Sequence, residues 1–148
     1  MDQRPLMLEM KFTTRAWDEH IRRLAIEAGV PEGYRATLMF IARHPGASQK
    51  AVAENNRVTS AAVSQTVRDM IADGYLYREA DSEDLRTSRL FLTEKGRAAD
   101  DRLREKVRAA ENAVCEALTP GEFEETMRIL RRVREVLAGE QPGRGHDC

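Results

Sequence analysis

Apolar residues recur at helical spacing along most of the chain. Met10, Trp17, Ile21, Leu24 and Ala28 share one face of a helix predicted over Leu6–Ala28, with Gly29 and Pro31 as its stop. Tyr34, Leu38, Ile41 and Ala42 mark a second helix from Tyr34 to His44, closed by Pro45-Gly46. Ser48 is placed to cap a short helix, Gln49–Asn55. Thr59 or Ser60 then caps a helix reaching Asp73, whose stripe Val63, Val67, Met70 and Ile71 faces inward and whose stop is Gly74. Its other face, Ser60, Ala61, Ser64, Gln65 and Arg68, is small and rich in hydrogen-bonding groups.

The period then changes. Tyr75–Glu79 and Ser88–Leu92 alternate as two strands, and the polar segment Ala80–Thr87 forms the hairpin tip between them. Helical spacing returns with a long helix from Thr93 to about Leu118, its stripe being Leu103, Val107, Ala110, Val114 and Leu118. Thr119-Pro120-Gly121-Glu122 is a restart with a cap, an early proline and a glutamate three residues on. The last helix carries Phe123, Met127, Leu130, Val133 and Leu137, and residues 139–148 read as a frayed tail.

The order of elements predicts a mainly α (α+β) fold: a winged helix-turn-helix domain with a two-stranded β-wing between long terminal helices. Such a unit suits DNA, because an exposed helix face fits the major groove while a hairpin arginine reaches the narrow, electronegative minor groove. An ordinary solvated helix has a similar face, and it is the ordered set of elements that favours DNA. Charge does not decide the matter. The chain of 148 residues has 24 Lys+Arg against 25 Asp+Glu, and residues 48–93 hold six bases and seven acids. Binding to a polyanion must therefore rest on placement of charge rather than on its sum.

The stretch Val52–Leu76 (VAENNRVTSAAVSQTVRDMIADGYL), the run Asp81-Ser82-Glu83-Asp84-Leu85-Arg86 and Leu92-Thr93-Glu94-Lys95-Gly96 together resemble the MarR family of bacterial transcription regulators. That family combines a helix-turn-helix ending in glycine, a wing of the type D-x-x-D-x-R, and L-T-x-x-G opening a long helix. The resemblance implies a homodimer bound to a pseudo-palindromic double-stranded DNA operator, most often as a repressor. Two cysteines, Cys115 and Cys148, make no disulfide framework, so a reducing cytoplasm is the expected compartment. The resemblance divides the chain into an N-terminal dimerisation helix (1–32), a DNA-binding domain (33–93), C-terminal dimerisation helices (94–138) and a tail (139–148). Ser60, Ala61, Ser64, Gln65 and Arg68 become DNA-facing residues, Arg86 the minor-groove arginine, and Asp84, with Asp81, its brace. Two departures stand out. Asn56-Arg57 replaces the family's Leu-Gly at the turn, where Asn tolerates a left-handed backbone and Arg57 is free to reach a phosphate. Leu85 stands where a first wing arginine is common.

The resemblance also implies a small aromatic or phenolic effector. Trp17, His20, Tyr34, Arg35 and Phe40 are candidates for its pocket, with Arg15, Arg22 or Arg23 as alternative anion partners. The competing and preferred reading makes Trp17 and Tyr34 dimer-core residues. Cys115 reads as a buried small hydrophobe, and the absence of cysteine from residues 1–30 argues against a family-type peroxide sensor. His20, His44 and His146 lack metal-ligand spacing, so neither metal nor cofactor is expected. No nucleophile elbow, P-loop or dinucleotide fingerprint suggests an enzyme, and no apolar run or leader suggests a membrane. The alternative class is a helical adaptor or ligand-binding protein using the winged fold without DNA.

Overall fold

A computed structural model describes residues 5–139. The element order is α1 (Leu6–Glu27), α2 (Arg35–Arg43), α3 (Gln49–Asn56), α4 (Ser60–Ala72), β1 (Leu76–Ala80), β2 (Ser88–Leu92), α5 (Glu94–Glu116) and α6 (Pro120–Leu137). One compact unit runs to Val107 and a second begins at Arg108. The expected tail, with His146 and Cys148, lies outside the described residues apart from Gly139.

The caps explain the boundaries. Ser48 Oγ accepts from Ala51 N, and Thr59 Oγ1 accepts from Ala62 N, so Thr59 rather than Ser60 opens α4. Thr119 and Glu122 form the reciprocal capping box of α6. The two strands pair antiparallel, with Leu76 opposite Leu92 and Ala80 opposite Ser88. The first strand departs from the expected alternation: Tyr75 and Leu76 are both buried, and Tyr75 precedes the ladder. Ala47 bridges Leu90, adding a single antiparallel rung from the segment before α3.

The core of the first unit gathers Leu38 and Ile41 from α2, Val52 from α3, Val63, Val67 and Met70 from α4, Leu76 and Leu90 from the hairpin, and Leu103 from α5. Ile21, Ala25 and Ala28 of α1 join it. In the second unit no residue of α6 is buried: Phe123, Leu130 and Leu137 are exposed, and Met127 and Val133 half-buried. Cys115 is exposed, which corrects the expectation of burial. The stripe of α5 is fully buried only as far as Val107, with Ala110 and Leu118 half-buried, and Cys115 lies two turns beyond Val107, beside exposed Val114.

The opening of α5 shows what the segment Thr93–Gly96 does physically. Thr93 Oγ1 accepts from Gly96 N (3.0 Å) as a cap and donates to Gly74 O (2.5 Å), while Thr93 N donates to Tyr75 O (3.0 Å). That carbonyl crosses so close to Gly96 that a Cβ there would sit 2.2 Å from it. Gly96→Ala is therefore expected to lower the urea-unfolding free energy by about 1–3 kcal/mol, the usual cost of overpacking against a backbone that cannot yield. An unchanged midpoint would mean that the α5 junction relaxes freely.

Candidate nucleic-acid interface

The buried stripe of α4 dictates what the helix shows to solvent. With Val63, Val67 and Met70 inside, Ser60, Ala61, Gln65 and Arg68 are exposed, and Ser64 is half-buried. Ser64 Oγ accepts a hydrogen bond from Gln49 Nε2 (3.3 Å), which ties α4 to α3. Along the exposed face Arg68 donates to Gln65 Oε1 (2.8 Å) and Gln65 Nε2 donates to Asp69 Oδ1 (2.8 Å). Asp69 escaped the sequence reading, although its place four residues after Gln65 is the signal for such a pair. The chain Arg68–Gln65–Asp69 orients the Gln65 amide before any ligand arrives.

The turn between α3 and α4 differs from expectation. Asn56 remains helical and its Nδ2 donates to Thr37 Oγ1 (3.3 Å), whereas Arg57 takes the left-handed conformation, at φ 53°. Val58 N then bonds Ala53 O (3.2 Å), the six-residue closure that ends many helices. The closure demands positive φ at the residue after the helix, so the strain falls on Arg57. Its side chain is exposed, and no carboxylate among the described residues lies within ion-pair distance.

At the wing tip, Asp84 Oδ1 accepts from Arg86 N (3.0 Å) and Asp84 Oδ2 from Thr87 Oγ1 (3.3 Å). The carboxylate thus braces the backbone, and the Arg86 guanidinium is unpaired among the described residues. Asp81 braces a different place. It accepts from Glu83 N (2.9 Å) and pairs with Arg89 Nε (3.2 Å), contacts that hold its carboxyl below the usual carboxylate range, the Glu83 bond most of all. Arg89 was not among the expected residues, since a partner eight positions away across a hairpin leaves no local pattern. Leu85 is 84% exposed beside Arg86, and Tyr77 stacks on Phe91 lower down the hairpin (centroids 5.4 Å apart).

The candidate pocket residues do not converge. Tyr34 is buried in the protein's own core; its hydroxyl donates to Asp73 Oδ2 (2.6 Å) and its ring meets Tyr75 edge-on at 5.7 Å. Desolvation first, and the Asp73 bond second, push the Tyr34 phenol up to about 12. Trp17 is half-buried against the same core, with His20 beside it at 6.1 Å, and His20 Nδ1 lies 3.2 Å from Arg23. Phe40 packs on His44, and Arg15 pairs with Glu19. Arg35 and Arg22 do line a common cleft of about 290 Å³ with Ala25, Ile26, Val30 and Pro31, between the end of α1 and the start of α2. Among the described residues no helix is long and apolar enough to cross a membrane.

Comparison with known proteins places this geometry. Residues 28–87 match the MarR family model. A Bacillus subtilis protein, the uncharacterized HTH-type transcriptional regulator YybA, is 23% identical over 132 residues, covering 89% of this chain and 88% of its own. Streptococcus pneumoniae FabT in complex with DNA superposes with TM-score 0.75 at 16% identity, over 93% of this chain and all of that one. Staphylococcus aureus MarR in complex with salicylate and kanamycin gives TM-score 0.71 at 19% identity, over 92% and 96% of the two chains.

The strained turn makes its own prediction. A left-handed non-glycine residue costs about 1–2 kcal/mol, so Arg57→Gly is expected to raise the unfolding free energy by about 1 kcal/mol in urea titration. A variant no more stable than the wild type would show that Arg57 is not strained there.

Proposed function

We propose that this chain, which belongs to the MarR family of winged helix-turn-helix DNA-binding transcription regulators, is a repressor that grips a pseudo-palindromic operator as a homodimer. The observation that carries the reading is the pairing of an exposed, donor-rich α4 face with a braced wing whose Arg86 has no carboxylate partner. On DNA, α4 lies in the major groove, with Ser60, Ala61, Ser64, Gln65 and Arg68 towards base edges and phosphates. Arg57 meets a phosphate at the turn. Arg86 enters the adjacent minor groove while Asp84 holds the tip in shape.

Dimerisation through residues 1–32 and 94–138 is supported by apolar side chains that the single chain leaves exposed: Leu6, Met7 and Phe12 on α1, and Phe123, Ile129, Leu130 and Leu137 on α6. Such a concentration of exposed apolar residues favours association. Two-fold pairing would set the recognition helices about 34 Å apart, one helical turn of DNA. A small aromatic or phenolic acid is the proposed effector, given that a structural relative is seen with salicylate. In this chain Arg35 and Arg22 in the α1–α2 cleft are the cations suited to a carboxylate, with Trp17 and His20 further along α1. Tyr34 contributes there only through its neighbours, because its hydroxyl is engaged in the core. Release requires that the effector prefer a state unable to hold DNA, a coupling of about 1–3 kcal/mol in typical cases.

In an anisotropy titration on the operator, Arg86→Ala is expected to weaken binding about tenfold, or ~1.4 kcal/mol, with the oligomeric state unchanged by light scattering. Wild-type affinity in the variant would remove Arg86 from the interface.

A further inference from the structure

The exposed face of α4 reads DNA only if the helix is presented at a fixed angle, and its apolar seat does not supply that. Contacts of Val63, Val67 and Met70 are non-directional and allow a helix to tilt. With 13 residues α4 is about 20 Å long. A tilt of about 10° about its C-terminal end moves its first turn by about 3 Å, the length of a hydrogen bond. Ser64 accepts a single long bond from Gln49 of α3, and directional ties at the C-terminal end set the remaining freedom of the angle at which Ser60, Ala61 and Gln65 arrive.

Those ties come from two sides. Lys95 Nζ donates to Asp73 O (2.7 Å) and lies 4.5 Å from the Tyr75 ring centre, and Thr93 Oγ1 donates to Gly74 O (2.5 Å), both from the start of α5. From α2 the tie is the Tyr34 hydroxyl on Asp73 Oδ2 (2.6 Å), and no other hydrogen bond among the described residues joins α2 to the α4 segment. Both partners stand where local helix physics would select something else. Tyr34 occupies the N-cap of α2, a place favouring Ser, Thr, Asp or Asn, and makes no side-chain cap bond there. Asp73 places a negative charge at the C-cap of α4, against the helix dipole. Each residue forgoes a local preference for a bond spanning 39 positions.

We propose that Tyr34 and Asp73 are positioning residues for DNA recognition, their hydrogen bond fixing the angle at which α4 meets the major groove. The inference rests on the DNA-binding reading above. Burial keeps the Tyr34 phenol protonated far above neutral pH, so the donor persists under all physiological conditions.

The test compares wild type, Tyr34→Phe, Asp73→Ala and Asp73→Asn on a selected operator duplex and on a scrambled duplex of equal length, with thermal melting of each protein. Tyr34→Phe keeps the buried ring, and Asp73→Asn keeps an acceptor oxygen for the hydroxyl. Tyr34→Phe and Asp73→Ala are expected to bind the operator at least fivefold more weakly, to bind scrambled DNA within twofold of wild type, and to melt within a few degrees of it. Asp73→Asn is expected to retain most of the discrimination. Unchanged operator affinity in Tyr34→Phe, an equal loss on both duplexes, or a loss that follows a fall in melting temperature would overturn the inference. A wild type that fails to discriminate would instead overturn the DNA reading, and this inference with it.

Discussion

Burial of Val63, Val67 and Met70 is the constraint on which the interface depends. Full burial of such side chains stabilises by about 1.5–3 kcal/mol each, whereas a typical hydrogen bond on the opposite face contributes only about 0.5–1.5 kcal/mol. The apolar stripe therefore decides which way α4 turns, and the polar set Ser60, Ala61, Gln65 and Arg68 faces out as a consequence. Thr59 fixes where the helix begins, and the Tyr75 carbonyl against Gly96 fixes how α5 departs from its far end. The proposed recognition surface is thus a by-product of core packing, refined by a few directional bonds.

The wing follows a different logic. Its strands set Leu76, Leu90 and Leu92 into the core, but its tip buries little, so the tip's shape comes from carboxylates that satisfy backbone amides. Asp84 organises the turn that carries Arg86, and Asp81 ties the base of that turn to Arg89. Both aspartates spend their charge inside the hairpin and leave Arg86 free. Despite a net charge of −1, the proposed polyanionic partner would meet free cations here: Asp81 and Asp84 are engaged within the hairpin, while Arg57 and Arg86 stay unpaired among the described residues. An exposed Leu85 beside Arg86 makes the tip less cationic than two arginines would.

Much of this was legible from residue order, for identifiable reasons. Caps and stripes are local, so the Ser48 cap, a cap at Thr59 or Ser60, the Thr119–Glu122 box and the α4 core face are legible from spacing, with the structure deciding for Thr59. Contacts between distant segments could not. The bond from Tyr34 to Asp73, the Ala47–Leu90 bridge and the Asp81–Arg89 pair join positions with no shared period. The left-handed residue was assigned by preference to Asn56, but the closing bond from Val58 to Ala53 places it at Arg57. Tyr34, weighed as a pocket or dimer residue, is instead consumed by the protein's own core. Cys115 was read as buried because apolar spacing continues past Val107, yet spacing does not reveal what, if anything, covers a stripe.

The central claim is that two copies of α4 address one face of a duplex through their outward side chains. The most direct measurement is selection of bound duplexes from a random pool, followed by alignment of the enriched sequences. The account predicts inverted half-sites with centres about 10–10.5 base pairs apart, one helical turn. Enrichment of a lone half-site, of direct repeats, or of no sequence at all would contradict it.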